Sequence, residues 1–478
     1  MQSDAFSIPA STAGEIAPRK SRYTVHPWRV EDPVFWKETG RKIALRNLVF
    51  SIFAEFLGFS VWQIWSAVAV NLPNIGFKFT LNELFWLAAL PGLVGATLRL
   101  PYAWAVPIFG GRNFTVVSAA LLLLPTLGIA HFIQQPDTPY WVFLVLACLC
   151  GFGGGNFASS MANINYFFPR RRKGLALGLN AAGGNFGVSV VQFAIPIAIL
   201  YAVFGSWGGD PQTMIKGDQE KLLYLQNAGL IWVPLIVAAI FTSYFFMNNL
   251  EVAKDSLMNQ VRMFKDKHTW IMSYLYVGTF GSFIGYSAGL PLLIKSQFPD
   301  INPLQYAFLG PLVGSLIRPV GGWLSDKVGG AIVTLLNFIV MAAAVVGVMY
   351  FLSIKTEPGA FLGFFVMFLI LFVTAGIGNG STYRMIPIIY LTQNARKVGP
   401  GLTEERANAI ANNQTTAVVG VTAAIGAYGA FLIPKSYGTS IELTGSPQAA
   451  LLVFIAFYLG CIFLTYWFYC RKNASVHC

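Results

Sequence analysis

Two arginines stand at matching places in two similar apolar stretches. Residues 93–99 read LVGATLR and residues 312–318 read LVGSLIR, and a Gly-Gly pair starts at the same distance beyond each, at Gly110 and Gly329. Arginine keeps its charge in a dry site, and its planar guanidinium presents a fork of donors that suits flat oxyanions. Lysine would be a single flexible point charge. Arg99 and Arg318 therefore predict a site in which two guanidinium groups hold a small anion.

The stretches that carry these arginines have the length of a bilayer crossing. The 478 residues are 55% hydrophobic and only 11% charged, whereas soluble domains carry about 25% charged residues. Apolar stretches of spanning length, about 20 residues, occur at Leu48–Val70, Leu84–Phe109, Val116–Phe132, Tyr140–Asn163, Leu175–Phe204, Leu230–Phe246, Trp270–Leu293, Leu304–Leu324, Ile332–Leu352, Phe361–Tyr390, Ala409–Ile433 and Ala449–Tyr469. We therefore expect an all-α integral membrane protein with twelve transmembrane helices.

The excess of basic residues indicates how the chain is oriented. The net charge is +12, and 23 of the lysines and arginines fall on the side of both termini, against six on the opposite side. Positive residues collect on the cytoplasmic side of membrane proteins. The charge thus predicts a multi-pass protein with both termini in the cytoplasm, and it does not indicate nucleic-acid binding.

A second pair of similar segments indicates an internal duplication. GFGGG at 151–155 matches GIGNG at 376–380, and the arginine stretches are offset by a similar distance, 219 residues against 225. Repeats of this kind are typical of transporters built from two pseudo-symmetric halves. The predicted division is a cytoplasmic tail 1–46, a six-helix half 47–248, a cytoplasmic central loop 249–268, a second six-helix half 269–470 and a tail 471–478.

The glycines of this second pair favour close helix packing. Small residues let membrane helices approach each other, and this accounts for most of the set without a role in binding. We expect the set to lie where helices slide during transport; it comprises Gly151, Gly153, Gly155, Gly376, Gly378 and Gly380.

The sequence around these glycines resembles the paired nitrate signatures of the nitrate/nitrite porter (NarK-type) family of the major facilitator superfamily. The signature segments are GFGGGNFASSMANINYFFP at 151–169 and AGIGNGSTYRM at 375–385. The likeness extends over nearly the whole chain, through WRVEDPVFW, VWQIWSAVAVNLP, VPIFGG, GLNAAGGNFGVS, TFGSFIGYSAG and LTGSP. It implies the major facilitator fold and secondary transport of nitrate and nitrite across a bacterial-type inner membrane.

Carried over by position, the resemblance assigns roles to five side chains. It implies that Arg99 and Arg318 hold the anion between them. Phe157 and Tyr276 would close over the flat face of nitrate, and Asn185 would donate a hydrogen bond. Nitrate is planar and weakly hydrated, so aromatic walls and a few donors suit it.

Two residues depart from the family pattern. Glu55 lies where an apolar residue is expected, and Arg384 lies where glutamine is expected. One interpretation is that the two charges form a compensating pair, since paired charges in a membrane cost less than isolated ones. The other is that Glu55 carries a proton.

These observations predict exchange of external nitrate for internal nitrite by alternating access. Two facing arginines repel each other, so the carrier without an anion resists occlusion. Nitrate–proton symport through Glu55 is the alternative, and an organophosphate carrier, an anion channel or a membrane sensor are remote ones. The sequence shows no metal cluster, nucleophile triad or cofactor loop, so we expect neither an enzyme nor a cofactor. The expected partners are the two anions and the lipid bilayer, with the protein a monomer.

Overall fold

A computed structural model describes residues 23–216, 219–250, 263–399, 401–474 and 476–478. The predicted tail residues 1–22 and loop residues 251–262 lie outside the described part. Within it, twelve helical segments are long and apolar enough to cross a membrane, as predicted. We name them α1 (Pro33–Ile75), α2 (Leu81–Phe109), α3 (Gly111–Phe132), α4 (Tyr140–Phe167), α5 (Arg171–Ala198), α6 (Asn227–Phe246), α7 (Lys267–Gln297), α8 (Pro303–Val328), α9 (Gly330–Ser353), α10 (Ala360–Ala395), α11 (Glu404–Thr444) and α12 (Gln448–Cys470).

Local signals set the ends of the two arginine-bearing helices. Thr80 caps the start of α2, because its side chain accepts from the Glu83 amide while the Glu83 carboxylate accepts from the Thr80 amide. Gly110 ends α2 with φ +85°, and Gly329 ends α8 with φ +102°. Only glycine adopts such backbone angles without strain. The Gly-Gly pairs noted in the sequence are therefore the sharp turns into α3 and α9.

Several predicted span boundaries differ from those of the helices; the largest differences are at the start of α1 and at the end of α11, which extends to Thr444 rather than Ile433. α1 begins at Pro33 rather than Leu48, because the helix continues through polar residues and Asp32 caps its first turn. α5 ends at Ala198 rather than Phe204. The Asn227 side chain donates to the carbonyl oxygens of Ala198 at 3.0 Å and Tyr201 at 2.8 Å, and so caps the end of α5.

Several helices are interrupted along their length, among them α1, α7 and α11. In α1, regular helix ends at Trp62 and resumes at Trp65. In α7, a π-helical turn spans Val277–Gly281. In α11, regular helix stops at Ala427 and resumes at Gly429. Wide turns of the π type often mark functional positions inside helices.

Within the described ranges, four short strands lie outside the helices. β2 (Gln212–Lys216) and β3 (Gln219–Leu223) pair antiparallel in the α5–α6 connection. β1 (Thr24–Val25) pairs parallel with β4 (Asn249–Leu250) beyond α6. The β1–β4 pair ties the segment before α1 to the end of α6.

The two groups of six helices meet through equivalent helix pairs. α2 packs against α11, α5 packs against α8, and the second parts of α1 and α7 pack together. In a duplicated bundle, α2 of the first half corresponds to α8 of the second, and α5 corresponds to α11. The α2–α11 and α8–α5 pairs are therefore equivalent, as expected.

The contacts between the groups concentrate away from the chain ends. Gln192 of α5 donates to the Ser287 carbonyl of α7 at 2.7 Å, and Ser189 donates to the Phe308 carbonyl at 3.1 Å. Asn82 of α2 hydrogen-bonds Glu442 at 2.6 Å and Lys435 at 2.8 Å, both on α11. These residues lie in the half of the bundle opposite the side that carries Pro33 and Cys470. The structure is thus closed on that opposite side, which we call the far side.

Candidate functional site

Arg99 lies at the meeting point of the two groups of helices. It is on α2 and only 1% exposed. Its Nε donates to the Gly154 carbonyl of α4 at 3.2 Å, and its Nη1 donates to the Ala423 carbonyl of α11 at 2.9 Å. Its Nη2 has no hydrogen-bond partner among the described residues. The guanidinium is therefore fixed at two nitrogens and keeps donors on the third.

Aromatic rings surround this guanidinium. Its central carbon lies 4.5 Å from the ring centre of Phe157, 5.0 Å from that of Phe280 and 5.4 Å from that of Trp62. Such contacts attract a cation by about 0.5–2 kcal/mol each. They hold the group in place without neutralising it, so its full charge remains available to an anion.

Arg318 occupies a comparable environment on α8. It is 9% exposed, and its guanidinium carbon lies 5.3 Å from the ring centre of Tyr383 on α10. Its Nη1 has no partner in the described part of the chain. Across the described ranges, neither Arg99 nor Arg318 forms an ion pair with a carboxylate, the one described salt bridge being elsewhere.

A continuous aromatic wall joins the two arginines. It consists of Phe157, Phe280, Tyr276 and Tyr383. Phe157 stacks with Phe280 at 6.2 Å between ring centres, Phe280 with Tyr276 at 5.4 Å, and Tyr276 contacts Tyr383 at 4.8 Å. Phe157 belongs to α4 and the other three rings to α7 and α10. The wall therefore crosses from one group of helices to the other.

Polar atoms without partners gather along this wall. The hydroxyl groups of Tyr276 and Tyr383 interact with each other, but like Arg99 Nη2 and Arg318 Nη1 they make no hydrogen bond of normal length to described residues. Buried polar groups are nearly always bonded, so a cluster of exceptions calls for an explanation. All four atoms can donate, and two belong to permanent cations. The arrangement can accept a small planar oxyanion, with its face on the rings and its oxygens toward the donors.

The remaining predicted binding residue is less directly connected. Asn185 lies on α5 and is 1% exposed, and its Oδ1 has no partner among the residues described. No described contact joins Asn185 to the aromatic wall. The structure thus brings Arg99, Arg318, Phe157 and Tyr276 into one cluster, and no hydrogen bond among the described residues joins Asn185 to it.

The direct pairing of Glu55 with Arg384 was wrong. Arg384 forms an ion pair with Asp326 near the end of α8, and both side chains are about half exposed. Glu55 is 1% exposed and accepts hydrogen bonds from Ser160 and Asn180 instead. Similar depth along two helices does not bring side chains together, because their directions around the helix axes also matter.

The glycines pack helices within each half rather than between halves. A Cβ on Gly153 would overlap the Gly58 carbonyl of α1, and a Cβ on Gly155 would lie 2.7 Å from the Tyr102 ring of α2. A Cβ on Gly380 would overlap the carbonyl oxygen of Arg318 itself. Close packing at Gly380 therefore sets the position of the segment that carries Arg318.

Three site residues escaped the sequence reasoning. Trp62, Phe280 and Tyr383 are aromatic residues among many, and nothing about their types distinguishes them. Two signals were available. Tyr383 precedes Arg384 within a quoted signature, and the segment FSVWQIWS at 59–66 is echoed by FGSFIGYS at 280–287, which aligns Phe280 with Phe59.

Comparisons with known proteins agree with this architecture. The sequence model of the Major Facilitator Superfamily matches residues 48–399. The nitrate/nitrite transporter NarU of Salmonella typhimurium is 47% identical over 458 residues, which cover 95% of this chain and 97% of the relative. The probable nitrate/nitrite antiporter NarK2 of Thermus thermophilus is 40% identical, with 94% of this chain and 97% of the relative covered.

Solved structures support the fold. A bacterial homologue of the human lysosomal transporter Spinster has a TM-score of 0.62 at 14% identity, covering 88% of this chain and 95% of the other. A D-xylose–proton symporter has a TM-score of 0.60 at 13% identity, covering 88% and 97%. At such low identity these likenesses concern the fold alone.

Proposed function

This chain belongs to the nitrate/nitrite porter family of the major facilitator superfamily, and from that premise we propose that it imports nitrate in exchange for nitrite by alternating access. The relatives named for nitrate and nitrite cover nearly its full length. As a member of a transporter family it moves its substrate without converting it, so we propose no enzymatic activity and no cofactor.

One observation carries the proposal for the site. Two buried guanidinium groups, unpaired with carboxylates in the described ranges, share a wall of aromatic rings. An unpaired buried charge costs several kcal/mol. An anion between Arg99 and Arg318 would offset that cost at both residues. Flat rings favour nitrate and nitrite over strongly hydrated, tetrahedral phosphate.

The contacts of the two halves support the exchange cycle. Arg99 donates to Ala423 on the opposite half, so the residue proposed to bind the anion also touches the surface that must separate. Without an anion, the like charges of Arg99 and Arg318 oppose each other in a poorly screened interior. Reorientation is therefore favoured only when an anion lowers the net charge of the site, which gives exchange rather than net transport of one anion. Because both anions carry one negative charge, the exchange moves no net charge.

The same proposal includes the orientation in the membrane, the division into halves and the oligomeric state. We place both termini in the cytoplasm, the halves at residues 47–248 and 269–470, and the protein in a bacterial inner membrane as a monomer. The far side then faces the periplasm, and the described conformation is closed to it. The positive-inside bias of the sequence supports this orientation.

Reconstitution in liposomes tests the proposal. Purified protein is placed in vesicles loaded with nitrite, with nitrate or with a sulfate buffer alone, and uptake of labelled external nitrate is followed. Rapid uptake into the nitrite- and nitrate-loaded vesicles, with little into the sulfate vesicles, is expected. Equal uptake into all three would contradict obligatory exchange, and no uptake into any would contradict nitrate as the substrate.

A further inference from the structure

Glu55 sits in a buried polar pocket that the anion site does not use. Its Oε2 accepts hydrogen bonds from the Ser160 hydroxyl of α4 and the Asn180 amide of α5. The Ser51 hydroxyl lies 3.0 Å from that of Ser160. The second carboxyl oxygen, Oε1, has no hydrogen-bond partner among described residues. All described donors thus converge on one oxygen and leave the other without a donor.

A small cavity adjoins this carboxyl group. It has room for about one water molecule or one small ion. Its lining is rich in oxygen atoms and consists of Ser51, Ala54, Glu55, Thr115, Ser118, Asn156, Ser159 and Ser160. The Asn156 side chain is 3% exposed, and neither its Oδ1 nor its Nδ2 has a partner in the described ranges. Glu55 and Asn156 thus both line this cavity, and each carries an oxygen atom with no hydrogen-bond partner among described residues.

The polar groups around Glu55 include two donors to its carboxyl group, Ser160 and Asn180, but no paired positive charge in the described part of the chain. Ser51 comes from α1 itself, Thr115 and Ser118 from α3, Asn156, Ser159 and Ser160 from α4, and Asn180 from α5. The charged groups that act on Glu55 are Arg99 and Arg318. Neither forms an ion pair with it among the described residues. An ionised carboxylate left in this position would cost several kcal/mol.

The internal repeat relates Glu55 to the anion site. The echo of residues 59–66 by 280–287 aligns Phe59 with Phe280 and Ser66 with Ser287. The aligned serines lie close together, since the Gln192 amide donates both to Ser66 Oγ at 3.0 Å and to the Ser287 carbonyl at 2.7 Å. Four residues before the aligned phenylalanines stand Glu55 and Tyr276. Glu55 is thus the counterpart, in the first half, of a residue in the aromatic wall.

We propose that this cavity binds one monovalent cation, either a proton on Glu55 or a sodium ion held by Glu55 and the surrounding hydroxyl and amide oxygens. Hard cations prefer such oxygen ligands. A single carboxylate balances a single positive charge, which favours a monovalent over a divalent ion. Binding itself is independent of the proposed nitrate exchange; only an effect on transport would rest on that function.

Thermal unfolding of the purified protein in the absence of nitrate and nitrite tests the site. One arm varies sodium against N-methyl-D-glucamine at fixed pH, and the other varies pH without sodium. The wild type is expected to be stabilised by sodium, by acidification, or by both, which distinguishes the two occupants. Glu55→Gln should remove that response, whereas Asp326→Asn, which removes an exposed carboxylate, should keep it.

A second variant covers the case in which Glu55→Gln does not fold. Asn180→Ala removes one donor to the carboxyl group and should shift the midpoint of the response by about tenfold in ion concentration, equivalent to about 1.4 kcal/mol. The proposal is overturned if the wild type responds to neither ion, if Glu55→Gln keeps the full response, or if Asn180→Ala leaves the midpoint unchanged. Because no transported anion is present, these outcomes are separate from failure of the exchange assay.

Discussion

Arg99 donates from Nη1 to the carbonyl oxygen of Ala423, 2.9 Å away on the opposite half of the molecule. The same side chain keeps Nη2 free of described partners and faces Phe157 and Phe280. One residue therefore contributes both to the proposed anion site and to the contact between the halves. An anion that draws the guanidinium toward Arg318 would compete with the bond to Ala423, which links occupancy to movement.

The hydroxyl of Tyr276 provides a selective test of the aromatic wall. Because this hydroxyl makes no hydrogen bond of normal length to described residues, Tyr276→Phe should not lower the unfolding temperature. If the hydroxyl donates to the anion, the loss of about 0.5–1.5 kcal/mol should weaken nitrate affinity by roughly two- to tenfold. Nitrate concentration dependence of counterflow, together with thermal unfolding, gives both quantities.

Tyr286→Phe is the matched control. Tyr286 is also fully buried on α7, but its hydroxyl lies 2.6 Å from the hydroxyl of Tyr458. This variant should lose about 1 kcal/mol of stability and keep the nitrate affinity of the wild type. If instead Tyr276→Phe lost stability and kept its nitrate affinity, while Tyr286→Phe lost nitrate affinity, the Tyr276 hydroxyl would be structural.

Gly380→Ala should impair transport because it displaces the segment that carries Arg318. A Cβ there would overlap the Arg318 carbonyl oxygen and lie 2.7 Å from the Gly322 amide nitrogen. We expect a several-fold lower exchange rate, since overpacking costs about 1–3 kcal/mol. Gly322→Ala is the control on α8, the helix that carries Arg318, because nothing lies within 4 Å of its added Cβ. Equal rates for the two variants would argue against a positioning role for Gly380.

The far-side contacts should control which side of the carrier is open. Asn82 joins Lys435 and Glu442 across the halves, so Asn82→Ala removes two hydrogen bonds from the closed far side. A loss of about 1 kcal/mol per bond should increase the far-side-open population. Distances between spin labels on the far-side ends of α2 and α11, measured by pulsed electron paramagnetic resonance, should lengthen. An unchanged distance distribution would mean that these bonds do not hold the far side shut.

Arg384 should couple energetically to Asp326 and not to Glu55. The Arg384–Asp326 pair is half exposed, so a double-mutant cycle with Arg384→Gln and Asp326→Asn should give a coupling of about 0.2–1 kcal/mol. The cycle of Arg384→Gln with Glu55→Gln should be additive within about 0.5 kcal/mol. Chemical unfolding of the wild type, the three single variants and the two double variants measures both, and rescue of Glu55→Gln by Arg384→Gln would restore the compensating-pair interpretation.

The sequence predicted the elements well because bilayer crossing imposes a strong local signal. The twelve spans, the Gly-Gly turns and the repeated arginine stretches all follow from hydrophobic length and from internal similarity. The end of α5 was missed because the Asn227 cap comes from a distant part of the chain. Hydrophobicity alone could not detect it.

The predicted site was incomplete for a different reason. Arg99 and Arg318 were recognisable because a charge in an apolar span is rare. Phe280 and Trp62 are two of many aromatic residues in apolar spans, so their types do not distinguish them. The pairing of Glu55 with Arg384 failed because depth was estimated along the sequence. The partner of Arg384, Asp326, lies at the end of α8, and its proximity depends on how α8 and α10 pack.

Equilibrium binding of nitrate to three arginine variants tests the central claim most directly. Arg99→Lys and Arg318→Lys keep the charge but lose the planar fork, and the lost bonds to an anion are worth about 1.5–3 kcal/mol. Nitrate affinity, measured by calorimetry on purified protein, should fall by at least about tenfold in each. Arg384→Lys, the third arginine within a span, should bind nitrate like the wild type. Wild-type affinity in Arg99→Lys or Arg318→Lys, or an equal loss in Arg384→Lys, would contradict a nitrate site formed by Arg99 and Arg318.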